Sequence, residues 1–341
     1  MQAIGIDTHK ATLAACLVDD LGMPLSERTF ANDPAGHEAL LAWARDAAPL
    51  VIIGVEGSAS FGASAARFLV EAGREVREVP PQLSRRERAG TRRAGKSDPG
   101  DALTIARVTA RERDLPPVRL ADPSLELKLL VGAREDLVAE ATRVRNRLHA
   151  DLRVLLPGYG ATAANLTAVR HQATVALRLR RLAGVQAELA RGRLARLRTL
   201  AAEERSLAAQ IAGRVEGHPL LALPGAGALV TAKLVGEVGD IGRFRSADAF
   251  AALSGVAPIP ASSGQTQRMR LNRGGNRQLN RALHTIALTQ ASHHPPAIAY
   301  ITRRRAEGKT WREALRALKR QIVRTVFRLL GIGARSSSIA A

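Results

Sequence analysis

Four carboxylates in the first hundred or so residues have the chemical type and the setting for work on a phosphodiester. Asp7 closes the run Ala3-Ile4-Gly5-Ile6-Asp7-Thr8-His9-Lys10, and Glu56 closes the apolar run in Val51-Ile52-Ile53-Gly54-Val55-Glu56-Gly57-Ser58. Asp98 and Asp101 share the segment Lys96-Ser97-Asp98-Pro99-Gly100-Asp101-Ala102. Hard divalent cations such as Mg2+ or Mn2+ take oxygen ligands. Carboxylates drawn from strand ends and one helix face can hold two such ions roughly 3.5 to 4 Å apart for in-line attack on phosphorus. A lone Asp at a strand end is an ordinary turn residue, and Asp98 with Asp101 also suits the positive end of a helix dipole. The joint occurrence of all four, in this order, points to metal binding.

Those acids need a scaffold, and the apolar runs supply one. Residues 2 to 7, 11 to 19 and 24 to 30 read as three antiparallel strands. The pattern then predicts a helix over 34–48, a buried strand over 50–55, a helix over 58–72 and a strand over 75–79. This is the ribonuclease H-like order, with Asp7 on the first strand and Glu56 at the end of the fourth. After Pro80-Pro81 a basic connector carries Arg85, Arg86, Arg88, Arg92, Arg93 and Lys96, opposed only by Glu87. It leads into a helix on which Asp98 and Asp101, three apart, lie on one face, with Pro99 suited to the first turn.

Past a Pro-containing linker at 115–123 the chain reads as almost wholly helical. One helix is expected over 124–155, a break at Pro157-Gly158, and a long helix over 163–215. Leu182, Val185, Leu189, Leu197, Leu200, Leu207 and Ile211 form a partial heptad seam, which fits either a coiled coil with another chain or an intramolecular hairpin. From Gly217 a third region begins. In Leu223-Pro224-Gly225-Ala226-Gly227, followed by an apolar helix, Gly225 and Gly227 fit a helix-hairpin-helix turn that brings backbone N–H groups to a phosphate. Such glycines also serve plain tight turns. Ser262-Ser263-Gly264 follows, then an acid-free stretch with Arg268, Arg270, Arg273, Arg277 and Arg281, a basic helix over 311–330 and a disordered tail at 334–341. The expected fold is thus α/β plus all-α: a nuclease-like domain at 1–115, a helical domain at 124–215 and a mainly α domain at 217–333.

Charge indicates what such a site would act on. The chain has 51 Lys and Arg against 31 Asp and Glu, a formal net charge of +20. Residues 1 to 80 carry 6 basic and 11 acidic side chains, whereas residues 241 to 341 carry 18 basic and 3 acidic. An acidic front and a basic back suit cations in one place and phosphates in another, although a basic helix face is also often mere solvated surface. Cys16 is the single cysteine and lies in an apolar run, so no internal disulfide forms. The eight histidines show no zinc spacing. No apolar stretch is long enough to span a bilayer and no signal-peptide pattern opens the chain, so a cytoplasmic, nucleoid-associated bacterial protein with no membrane partner is expected.

These pieces together resemble the DEDD transposases of the one-ten family of insertion sequences, RNA-guided bridge recombinases related to the Piv invertases. The resemblance covers nearly the whole chain: the three acidic segments quoted above, then Leu223 to Gly227 through Phe250-Ala251-Ala252-Leu253-Ser254-Gly255-Val256-Ala257-Pro258, Ser263-Gly264 and Gly275-Asn276. It implies a RuvC-like domain whose Asp7, Glu56, Asp98 and Asp101 hold Mg2+ or Mn2+, working with Ser263 as a nucleophile that leaves a phosphoserine link to DNA. Ser262 stands next to it as the alternative. It also implies donor and target DNA as substrates, a structured bridge RNA that reads sequence by base pairing, and a dimeric or tetrameric assembly. Delegated sequence reading fits a chain that is only 3% aromatic and lacks base-reading motifs. Two other classes share these features: a Holliday-junction resolvase or nuclease in which water attacks, and a non-catalytic nucleic-acid-binding protein.

Overall fold

The computed structural model describes residues 2–47, 51–58, 60–90, 98–118, 123–260, 269, 270, 272 and 274–339, with side chains at 88–90, 98, 99, 260, 269, 270 and 335–339 outside the description. Two compact units result, residues 1–122 and residues 123–341.

The first unit is built on a five-stranded sheet. Strands β1 (Ala3–Thr8), β2 (Thr12–Val18) and β3 (Pro24–Ala31) form the expected antiparallel meander; β4 (Ile52–Val55) and β5 (Val76–Glu78) follow after helices α1 (Pro34–Ala47) and α2 (Ala63–Glu71). The strand order is β3-β2-β1-β4-β5, with β4 parallel to β1 and β5 parallel to β4. This is the ribonuclease H-like arrangement. Alternation along β1 divides this unit into two layers. Ile4 and Ile6 are fully buried in the core that also takes Leu40, Trp43 and Leu69 from α1 and α2. Ala3, on the other face, packs with Cys16 and with Ala102 and Ala106 of a later helix. Cys16 is a buried free thiol whose pKa burial and neighbouring Glu27 push up to about 12, so it is an inert core residue.

Part of the expected connector is helical. Helix α3 (Pro81–Gly90) begins at a proline suited to a first helical turn and continues through good helix formers. Helix α4 (Asp98–Arg111) carries the acid pair. The segment read as a linker is pinned to the sheet edge: Glu78 donates its N–H to the Pro116 carbonyl at 2.8 Å, and Val118 donates to Val76 at 2.9 Å. An edge strand with unpaired backbone groups gains from such cover.

The second unit is helical. Helix α5 (Pro123–Leu155) is followed by the short α6 (Gly160–Ala163), then α7 (Val169–Leu179) and α8 (Val185–Arg214). The single helix expected over 163–215 is therefore broken twice. Asn165 accepts the Thr167 N–H at 2.9 Å in a local turn, and Gly184, with φ of 100°, supplies a conformation that no other residue takes easily. Helices α5 and α8 pair antiparallel. Arg214 meets Glu126, Arg134 meets Glu204, Arg196 meets Glu140 and Arg193 meets Asp151 along the hairpin. Of the heptad seam, Leu197, Leu200 and Ile211 are buried, so this part of it closes within the chain.

Helices α9 (Ala228–Val238), α10 (Ala247–Leu253), α11 (Arg277–His293), α12 (Pro295–Ala306) and α13 (Trp311–Ile339) build the remaining core around Phe250, Leu283, Ile286 and Val323. Helix α13 runs nine residues past the expected end at Leu330, reaching into the tail read as disordered. Two short strands, β6 (Ile259–Pro260) and β7 (Met269–Arg270), pair antiparallel between α10 and α11.

Candidate functional site

Two glycines set the site. A Cβ on Gly5 would stand 2.1 Å from the Ala106 nitrogen and 2.4 Å from the Ala102 carbonyl oxygen, and one on Gly54 would stand 1.8 Å from Thr109 Oγ1. Helix α4 therefore lies directly on β1 and β4. Strand alternation places the residue two positions beyond each glycine on that same face, and those residues are Asp7 and Glu56. The pairing of Gly5 with Gly54 carries both acids to the same end of adjacent parallel strands. Glu56 donates its N–H to Ile6 at 3.2 Å, and Thr8 Oγ1 donates to the Glu56 carbonyl at 2.9 Å. Asp101, 9% exposed, immediately precedes Ala102 on α4. Three of the four expected acids thus occupy one corner of the unit. The side chain of Asp98, one helical turn earlier, lies outside the described residues.

The immediate surroundings hold this corner in place. His9 Nε2 is 3.2 Å from Asp7 Oδ2, an ion pair when the imidazole is protonated. Gly57 turns at φ of 79°, and a Cβ on Gly62 would stand 2.7 Å from the Thr8 methyl, so the loop after Glu56 folds tightly over β1. Glu78 anchors that loop from the opposite face, where its Oε2 accepts the Ser58 N–H at 3.0 Å. Burial outweighs these hydrogen bonds and holds the Glu78 carboxyl above its ordinary pKa. Glu78 does not stand out in the sequence, since it lies in the polar strand Val76-Arg77-Glu78 and its partner is a backbone N–H twenty residues earlier.

The donor set is all oxygen at Asp7, Glu56 and Asp101, which fits a hard divalent cation. Among the described residues no group of three His, Cys, Asp or Glu side chains closes around a single point. The fit therefore rests on donor chemistry and on strand and helix placement.

The other expected residues fall into three groups. Arg85 and Arg86 on α3 and Arg277 and Arg281 on α11 are exposed. Gly225 has φ of 87° and a hypothetical Cβ 3.0 Å from Thr289 and 3.1 Å from the Ile286 carbonyl, so packing on α11 by itself accounts for the glycine; Gly227 is the exposed residue preceding α9. Arg92, Arg93, Lys96, Ser262, Ser263, Gly264, Arg268 and Arg273 lie outside the described residues, as do the side chains of Arg88 and Arg270. The segment containing both serines joins β6 to β7.

A ribonuclease H-like α/β unit with acids at its strand ends, followed by a large helical unit, is the class that fold and site define. Residues 4–157 match a model of DEDD transposases of the IS110 type, and residues 217–302 match the transposase model of the IS116/IS110/IS902 family. The 43.6 kDa protein of insertion element IS110 of Streptomyces coelicolor is 32% identical, over 83% of this chain and 82% of its own length. The 42 kDa protein of insertion element IS900 of Mycobacterium paratuberculosis is 28% identical over 96% of this chain and 94% of its own. A solved structure of Thermus thermophilus RuvC with a Holliday junction substrate aligns at 18% identity and a TM-score of 0.29, covering 35% of this chain and 99% of that one. The chain belongs to the IS116/IS110/IS902 family of transposases.

Proposed function

We propose that this transposase cuts and rejoins DNA strands through a covalent serine intermediate. Asp7, Glu56, Asp98 and Asp101 are the residues that would hold Mg2+ or Mn2+, which would stabilise charge on the reacting phosphate. The observation that carries the reading is the convergence of Asp7, Glu56 and Asp101 on one corner of a ribonuclease H-like sheet in a chain of this family. Ser263 Oγ forms the new bond to phosphorus as the bond from phosphorus to one sugar oxygen breaks. The serine gives up its proton and the departing sugar hydroxyl gains one, so the phosphodiester is exchanged rather than hydrolysed. A second strand's hydroxyl then reverses the step, joining new partners. Donor and target DNA are the substrates, a structured bridge RNA selects them by pairing, and a dimer or tetramer brings the two chemistries together.

The test is a reaction halted before rejoining. Wild type should leave DNA bound to protein through denaturant, and the adduct should vanish in Ser263→Ala while persisting in Ser262→Ala. Asp7→Asn and Asp101→Asn should each abolish both cleavage and adduct with an unchanged melting curve. Efficient cleavage by wild type with no adduct would assign the attack to water and the protein to the nuclease class.

A further inference from the structure

Between α11 and the first turns of α13 lies a cavity of about 670 Å³. Lys319 is at its floor, 7% exposed, with Nζ donating to Asn280 Oδ1 at 2.7 Å. Asn280 in turn donates to the Ser254 and Gly255 carbonyls at 2.9 and 3.0 Å, which ties the floor to the turn after α10. The rim is formed by Arg277 and Arg281 of α11 and by Arg312 and Arg316 of α13, all exposed. Helical spacing of four residues puts each pair on one face. Trp311, 44% exposed, stands at the same rim.

The charges here differ from those of Arg134, Arg193, Arg196 and Arg214 on the α5/α8 hairpin, which are matched by Glu204, Asp151, Glu140 and Glu126. Among the described residues no carboxylate lies within ion-pair distance of the four rim arginines or of Lys319. The acid nearest in sequence, Glu313, is engaged by the N–H and Oγ1 of Thr310, each at 2.8 Å. Burial lowers the Lys319 pKa to about 8, and an incoming anion would offset that cost. Five cations with no acid in ion-pair reach among the described residues favour an anionic partner, and a part-exposed indole beside guanidinium groups is a platform on which an unpaired base can stack.

We propose that this pocket binds an unpaired nucleotide of DNA or RNA, with its phosphates held by Arg277, Arg281, Arg312, Arg316 and Lys319 and its base stacked on Trp311. The cavity is within the range of about 300 to 1,000 Å³ typical of small-ligand sites. A duplex keeps its bases stacked on one another and leaves the indole unused, and a bare anion does the same. The inference goes beyond the serine chemistry and rests on the transposase reading only for which polynucleotide arrives.

The full-length protein should be titrated with labelled oligothymidylate, oligouridylate and duplex DNA, following anisotropy and tryptophan emission together. Of the two tryptophans, Trp43 is buried in the first unit, so quenching reports on Trp311. Trp311→Ala should weaken single-strand binding about 5- to 150-fold, while Trp311→Phe should keep most of the affinity and lose the quenching. Arg316→Ala and Lys319→Met should also weaken binding, and Arg324→Ala, on α13 but outside the pocket, should not. Tighter binding of one of the two single strands would name the polymer. Unchanged affinity in Trp311→Ala, emission unmoved by saturating oligonucleotide, or competition by inorganic phosphate with no oligonucleotide response would each overturn the proposal. Strand cleavage is not read in this test, so loss of the covalent adduct and loss of this binding are separable failures.

Discussion

At the scale of single residues, the site depends as much on what is missing as on what is present. Gly5 and Gly54 have no side chain because α4 occupies the space, and the same contact fixes Asp101 relative to Asp7 and Glu56. The two glycines differ in how a methyl could be accommodated. At Gly54 the nearest atom is the Thr109 hydroxyl, whereas at Gly5 it is the backbone of α4 itself. A rotamer change cannot relieve the second clash, so the helix must move. Gly5→Ala should therefore cost about 3 kcal/mol and reduce cleavage even where the domain stays folded, because it shifts one acid away from the other two. Gly132→Ala is the contrasting case, since nothing lies within 4 Å of a Cβ there, in the middle of α5. It should stabilise by about 0.5 to 1 kcal/mol. Urea denaturation of both variants checks this, and a Gly5→Ala protein as stable as wild type would mean that α4 does not sit hard on β1.

At the scale of elements, α9 is bound to the hairpin by one close approach and one buried charge. A Cβ on Gly236 would stand 2.7 Å from the Lys128 nitrogen of α5. Lys233, 8% exposed, reaches Glu135 of α5, whose side chain is 35% exposed. Glu135→Ala strands an ammonium in an apolar contact and should destabilise the unit by about 2 kcal/mol. Lys233→Met fills the same space without a charge and should cost less, because the remaining Glu135 reaches solvent. Chemical denaturation orders the two, and the reverse order would place the charge in water. Much of this level was legible in the sequence. The first and fourth strands followed from their Ile- and Val-rich runs, which Asp7 and Glu56 close. Helix α3 was missed because its charge was read as a property of a connector, whereas the Pro80-Pro81 step and the helix-forming side chains after it were the better guide. Glu78 was missed because its partner is a backbone N–H twenty residues away, which no local pattern encodes. The basic pocket was half visible. Arg277 and Arg281 stood out, but Trp311, Arg316 and Lys319 join them only through the packing of α11 on α13.

At the scale of the whole molecule, charge is divided between the units. Residues 1–122 hold 16 basic and 17 acidic side chains, and residues 123–341 hold 35 and 14. The excess that makes the chain +20 is therefore carried by the helical unit, while the unit with the candidate metal site is close to neutral. Within the helical unit the positive charges are of two kinds. Some, such as Arg193 with Asp151 on the hairpin, are already matched by acids and release few counterions on binding. Arg277, Arg281, Arg312 and Arg316 of α11 and α13 are exposed with no acid in ion-pair reach among the described residues, and these should take up phosphates. Counterion release makes the distinction measurable, because the slope of log affinity against log salt counts phosphates neutralised, at about −0.9 each on duplex DNA. With six contacts the wild-type slope on duplex should be about −5. Arg281→Gln should make it shallower by about one unit, whereas Arg193→Gln should leave it unchanged although it removes the same formal charge. Affinity measured across a salt series for the three proteins decides the matter. A flat wild-type response would mean that the positive face is only solvated, and equal slopes in the two variants would mean that net charge, rather than its placement on α11 and α13, draws the nucleic acid in.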